Sequence, residues 1–298
     1  MALSPRHHPW GLPALLALAF AVASPLPAGG RQDPGTSAAA DWNSTASAVI
    51  AAGNSPARLE AVREQLQAAG FGVTRLPFTS GDHDGVNLVA EVAGDPGAPL
   101  LLIGAHADRV EVGEGAVDNA SGVAVVLALA ERLRERPLQG HRVAVAFWDL
   151  EERGLLGARD YVASGAERPA LYVNFDVFGW GDTLWMTAPD LSLPLVAASA
   201  AAAGSAGTGF SATAEHYPPT DHLAFLRAGW PAVSYSLLDA DEIHAMEAMM
   251  QGNRPDAPPR VMQVIHTAQD TWEQLDPAAV VRGIDAVEAA LRAWDAGG

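Results

Sequence analysis

The 298-residue chain contains no cysteine and no lysine. Without thiols it can form no disulfide, no thiolate nucleophile, no thiolate zinc site and no iron–sulfur cluster. Without a lysine amine it has no Schiff base, no P-loop lysine and no Ser-Lys dyad. All 18 basic residues are therefore arginine, set against 35 acidic ones, and the formal net charge is -17. A balance this acidic, with no basic run anywhere, argues against nucleic acid and anionic membrane surfaces as partners. The chemistry left to the chain is that of Asp, Glu, His, Ser, Thr, Tyr and Arg. The length suits one sizeable α/β domain or at most two small ones, and neither an internal repeat nor a second-domain boundary is visible.

Arg6, His7 and His8 precede an apolar stretch from Trp10 to Ala23, followed by Ser24, Pro25 and Pro27. Residues 1–23 read as a signal peptide, with Ala21-Val22-Ala23 as a small-x-small cleavage site and a later alternative at Ala28. The stretch is short for a span and carries Gly11 and Pro13, so no stable membrane anchor is expected, and the missing cysteine removes lipid attachment. An exported chain without disulfides must be held by its core and by metals, which fits a periplasmic or secreted bacterial enzyme. Residues 24–45, rich in Gly, Pro, Ser and Ala, read as a flexible lead-in, which leaves 46–296 as the folded domain.

Within that domain Ser55 is expected to cap a helix whose stripe is Leu59, Val62, Leu66 and Ala69. Residues 71–78 and 86–92 alternate like an antiparallel hairpin, while the apolar runs 100–105 and 142–148 read as central buried strands. Helices are predicted over 119–134, 155–164, 193–203, 222–227 and 278–294, and strands over 171–175 and 232–235. Alternating strands and helices imply an α/β fold with a mostly parallel sheet covered on both faces. Residues 239–259, with Met246, Met249 and Met250, read as an insertion able to form one wall of a pocket.

Ligands of such sheets bind beyond the carboxyl ends of the strands. Residues 100–105 end in His106 and Asp108, residues 142–148 lead to Glu151 and Glu152, residues 171–175 end in Asp176, and residues 261–265, read as a fourth such segment, end in His266. Asp118 opens the next helix, where its alternative role is an N-terminal cap. On an extended backbone Glu151 and Glu152 would face opposite ways, one toward a metal and one toward a proton. Two histidines and three carboxylates are the donors for a pair of zinc ions with one bridging carboxylate and a position left for water. A further carboxylate must move the water's proton, and Asp108 is placed to orient the His106 imidazole.

His106-x-Asp108, Asp118-Asn119-Ala120-Ser121-Gly122, Glu151-Glu152-x-Gly154-Leu155-x-Gly157, Asp176, Thr220-Asp221-His222 and Ile265-His266-Thr267-x-x-Asp270-Thr271 together resemble the M28 family of zinc metallopeptidases, over roughly residues 86–291. The resemblance implies a single three-layer α/β/α domain, a chain with no room for an inserted protease-associated domain, and two zinc ions. By it Asp118 bridges the metals, His106 and Asp176 complete one site, Glu152 and His266 the other, and Glu151 is the general base. Some relatives carry Tyr before the last ligand histidine, where this chain has Ile265. The expected activity is removal of N-terminal residues from peptides with a free N-terminus. The alternatives are a dipeptidase, a single-zinc enzyme like glutaminyl cyclase, and an inactive receptor-like relative. Phe178, Trp180, Tyr217 and Trp272 are the aromatic candidates for a substrate pocket.

Overall fold

The computed structural model describes residues 34–255 and 257–297. The stretch read as a signal peptide, with its expected cleavage sites, lies outside the described residues. In chain order the strands are β1 (Val73–Ser80), β2 (His83–Ala93), β3 (Leu100–His106), β4 (Arg142–Trp148), β5 (Leu171–Phe178), β6 (Thr183–Thr187), β7 (Gly209–Thr213) and β8 (Ala232–Leu238). The helices are α1 (Pro34–Ala51), α2 (Ser55–Ala68), α3 (Ser121–Glu135), α4 (Leu156–Ala163), α5 (Pro194–Ala206), α6 (His222–Arg227), α7 (Ala240–Met250), α8 (Arg260–Val264) and α9 (Pro277–Ala296).

Among the described residues one eight-stranded sheet runs β1-β2-β4-β3-β5-β8-β6-β7. Its centre, β4-β3-β5-β8, is parallel, and antiparallel pairs (β1 with β2, β2 with β4, β6 with β8) extend it on both sides. The central strands are apolar throughout because both faces are covered. Leu101, Ile103 and Ala105 of β3 and Val143, Val145 and Phe147 of β4 join the core under α1, α2, α3, α5 and α9. Their neighbours Leu100, Leu102, Ala144, Ala146 and Trp148 pack under α4 and α6. The two-residue period of the strands thus divides one chain between two cores and makes three layers. Along the second core, Trp148 Nε1 donates to the Tyr172 hydroxyl (2.6 Å), which donates to Asn174 Oδ1 (2.7 Å). Asn174 Nδ2 then donates to Thr220 Oγ1 and Ser234 Oγ, so this buried polar chain is paired end to end.

The structure departs from the sequence reading at several places. The lead-in expected over 24–45 is helical from Pro34 onward, because Trp42, Ala46 and Val49 are buried against the core. One buried indole outweighs the apolar poverty of its neighbours. The cap of α2 is Asn54, whose side chain accepts from the Ala57 N–H, and Ser55 Oγ instead accepts from the Arg109 amide. The short strands β6 and β7 were not anticipated. Residues 260–264 form a helix where an apolar strand was expected, and the presumed insertion over 239–259 contains α7, closed by an Asp239/Glu242 capping box.

Candidate metal centre

β3 delivers His106, and Asp108 follows two residues later; both are buried. Asp108 Oδ1 lies 3.4 Å from His106 Nδ1, and its two oxygens also accept the backbone N–H groups of Glu151 (3.0 Å) and Glu152 (3.2 Å). It therefore joins the end of β3 to the acidic pair through two backbone amides, with one oxygen approaching the His106 imidazole. Glu151 and Glu152 do not lie on an extended backbone. β4 stops at Trp148, Leu150 turns into the left-handed region (φ 57°), and Glu151–Arg153 form a 3₁₀ turn. That turn, not the strand pleat, separates their side chains.

Gly157 closes the turn by donating its N–H to the Asp149 carbonyl (3.0 Å), while its own carbonyl accepts from Asn87 Nδ2 (2.9 Å). A Cβ here would run into Asn87 Oδ1 and the Asp149 backbone. Gly157→Ala is expected to cost about 1–3 kcal/mol through overpacking. It should also displace the acidic pair, measured as a lower Tm together with weakened metal binding.

Asp118 sits in the turn Ala116–Ala120 with non-helical backbone angles. Asp270 anchors this turn, accepting the Val117 N–H at Oδ1 (2.7 Å) and the Asp118 N–H at Oδ2 (3.2 Å). The capping role belongs to its neighbour: Asn119 Oδ1 accepts from the Gly122 N–H (3.0 Å) and Asn119 Nδ2 donates to the Phe175 carbonyl (2.9 Å). The Asp118 carboxylate is left to face the histidines. Its Oδ1 is 3.1 Å from His106 Nε2 and its Oδ2 is 2.9 Å from His266 Nε2. Asp176 Oδ1 lies 3.4 Å from the same His106 nitrogen, and Glu152 Oε2 lies 3.0 Å from His266 Nε2. Asp176 is not at a strand end, since β5 continues to Phe178 through a register shift against β8. His266 follows α8 with φ 58°.

By these distances the five side chains fall into two trios that share Asp118, while the group whose ligand-type atoms lie within 4.8 Å of one another, His106, Asp118 and Glu152, takes one residue from each trio besides Asp118. Electrostatically the cluster seeks positive charge. Burial opposes a proton on His106, yet Glu151, Asp176, Asp108 and Asp118 raise its pKa well above the ordinary value. Hydrogen bonds to Asp118 and Glu152 push His266 up to about 10. Burial works against ionising Asp118, but hydrogen bonds from the two imidazoles hold its carboxyl below the usual range. Glu152 Oε1 and Asp176 Oδ1 are buried without hydrogen-bond partners. Orphaned carboxylate oxygens beside imidazole nitrogens are what a borderline-soft dication such as zinc would satisfy.

A cavity of about 480 Å³ adjoins the cluster, and Asp118, Glu151, Asp176 and His266 are among its lining residues. The rest is mainly apolar, with Trp185, Leu238, Met246, Met250, Met262 and Ile265 prominent. The wall expected of the 239–259 segment is therefore present as α7. The aromatic candidates lie elsewhere. Phe178 is fully buried against Phe175. Tyr217 packs on His222, and Trp272 packs against the main core and donates its backbone N–H to Glu114. Trp180 bonds Glu242 through Nε1 and lies under Arg260. Trp185 escaped the sequence reading because its strand, β6, did. Its only signal was the three-residue apolar run Leu184-Trp185-Met186 between two threonines. Asp221 and His222, quoted above as a motif without a role, are fully buried beside the cluster. Burial raises the Asp221 carboxyl well above its ordinary range and lowers His222 to about 3, so this imidazole is neutral.

A family model described as peptidase family M28 matches residues 87–291. The chain belongs to peptidase family M28. This M28 chain is 32% identical over 235 residues to a probable lipoprotein aminopeptidase, LpqL, of Mycobacterium tuberculosis, covering 71% of this chain and 46% of that protein. Among solved structures, a zinc aminopeptidase from Bacillus subtilis matches with a TM-score of 0.57 at 23% identity, over 70% of this chain and 50% of that one. A glutaminyl cyclase from Porphyromonas gingivalis matches with a TM-score of 0.66 at 19% identity, over 87% and 98%. At these identities the two structures establish a shared fold. The chain spans less than half the length of the first curated relatives it matches.

Proposed function

We propose that the chain is an exported dinuclear zinc aminopeptidase. The observation that carries this reading is the sharing of Asp118, whose two oxygens each face a separate histidine that has its own second carboxylate. His106 and Asp176 would complete one zinc site and Glu152 and His266 the other. Bound zinc ions of this kind lower the pKa of a shared water and polarise the scissile carbonyl. Glu151, in the cavity and not needed as a ligand, takes the proton from the attacking nucleophile and passes it to the departing amine. Burial raises the Glu151 carboxyl well above its ordinary range; the nearby His106 opposes the shift and Asp221, Asp176 and Asp118 add to it. Asp108 fixes His106 and the backbone of both glutamates. The apolar part of the cavity would receive an apolar side chain of the N-terminal residue, and peptides with a free N-terminus are the substrates that the aminopeptidase reading carries.

Export is supported by the N-terminal pattern of the sequence and by the description of the mycobacterial relative as a probable lipoprotein. Among the described residues no helix is long and apolar enough to cross a membrane.

The test is hydrolysis of aminoacyl anilides beside their N-acetylated counterparts. We expect turnover of the free amines alone, loss of that turnover on chelation, and its recovery with zinc at close to two ions per chain. Equal hydrolysis of both series would sink the reading. A stoichiometry of one would instead favour the glutaminyl-cyclase alternative, and relative rates on dipeptides and longer peptides separate a dipeptidase. An inactive relative is disfavoured because all six positions carry chemically competent side chains.

A further inference from the structure

Arg58 stands in the first turn of α2 and is fully buried, a rare location for a guanidinium. Its Nη2 donates to the Gly115 carbonyl (3.0 Å), while Nε and Nη1 have no hydrogen-bond partner. Gly115 has φ 61°, and a Cβ on it would collide with Arg58 Nη1, so the glycine leaves the room that the arginine fills. Gly115 begins the turn that carries Asp118. Arg58 therefore holds one side of that turn through a carbonyl, while Asp270 holds the other through two amides.

Burial disfavours the charge on Arg58 and Arg109 repels it, whereas Asp118, Asp108 and Asp270 attract it. The acidic cluster comprises Asp108, Asp118, Glu151, Glu152, Asp176, Asp221 and Asp270. Arg58 is a buried guanidinium beside this cluster, and bound zinc ions would add further positive charge to the same carboxylates. Arg58 is thus a larger share of the compensating charge before metal arrives than after, and its charge repels zinc once zinc is bound.

We propose that Arg58 is the permanent counter-ion of the donor cluster, a positioning residue that keeps the Asp118 turn assembled before zinc binds. This rests on the zinc reading above.

The test is thermal unfolding of the full chain, chelator-treated and zinc-loaded, for wild type, Arg58→Gln and Arg58→Lys. Gln removes the charge and, being two bonds shorter than the guanidinium, also the Nη2 bond to the Gly115 carbonyl; Lys keeps a charge while losing that planar donor, so the charge effect is the zinc-dependent difference between the two variants. Arg58→Gln is expected to lower Tm by about 6–12 °C without zinc and by clearly less with it, so that the zinc-induced rise grows. Failure to fold without zinc but folding with it is the extreme form of the same result. Arg58→Lys should lose equally in both states. The proposal is overturned if Arg58→Gln falls equally in both states, fails to fold in both, or shows the same difference as Arg58→Lys. If zinc does not raise the Tm of wild type at all, the metal reading itself fails and this proposal with it.

Discussion

Glu151→Gln is expected to lower kcat by about 10²- to 10⁴-fold, the contribution of a positioned general base, while zinc content and Tm stay at wild-type values. The substitution is nearly isosteric. The bond that places residue 151 runs from its backbone N–H to Asp108 and survives the change. What is lost is the group that accepts a proton, about 3–5 kcal/mol of barrier. Glu152→Gln supplies the contrast. Its Oε2 lies 3.0 Å from His266 Nε2, so there the amide removes a ligand, and metal content should fall along with turnover. Turnover and zinc measured on both variants assign the two roles separately. Unchanged turnover in Glu151→Gln would remove it from the proton path.

The sequence brings Glu151 and Glu152 forward as a pair with divided roles, and the structure gives the separation of their side chains a different geometric cause. Alternation along an extended backbone predicts opposite faces, and the structure separates the side chains by a 3₁₀ turn beginning after a left-handed Leu150. His266 shows the same pattern. It was found by residue type and spacing, although the segment before it is helical. Convergence of these side chains survives such errors because it depends on where the chain returns to one place, whereas element type depends on tertiary packing that a short apolar run does not encode. Long uniform runs such as β3 and β4 were readable because burial on both faces leaves a continuous apolar signature. β6 and β7 were not, being five residues each and, in the case of β7, only half buried at the sheet edge. The aromatic candidates Phe178, Trp180, Tyr217 and Trp272 are not among the residues lining the cavity, for a related reason. Aromatic side chains mark cores more often than pockets, and Phe178 and Trp180 do core work here, while three methionines and Trp185 line the cavity.

Asp118→Asn should have a wider effect than any other ligand change, because Asp118 is the donor both trios contain. Its amide nitrogen cannot ligate a cation, so one of the two histidine-facing oxygens is lost whichever way the group turns. The backbone anchors from Asp270 to the Val117 and Asp118 amides are unaffected, so the turn should keep its place. Changes to residues outside the ligand shell commonly cost about 10- to 100-fold in metal affinity or activity, and loss of a shared ligand should exceed that. Asp176→Asn is the control, since Asp176 approaches His106 alone. Zinc titration by calorimetry should show weakened binding at both sites in Asp118→Asn but at one site in Asp176→Asn. If Asp118→Asn lost a single zinc and left the affinity for the other unchanged, the two trios would be independent. The site would then work as one catalytic ion beside a structural one.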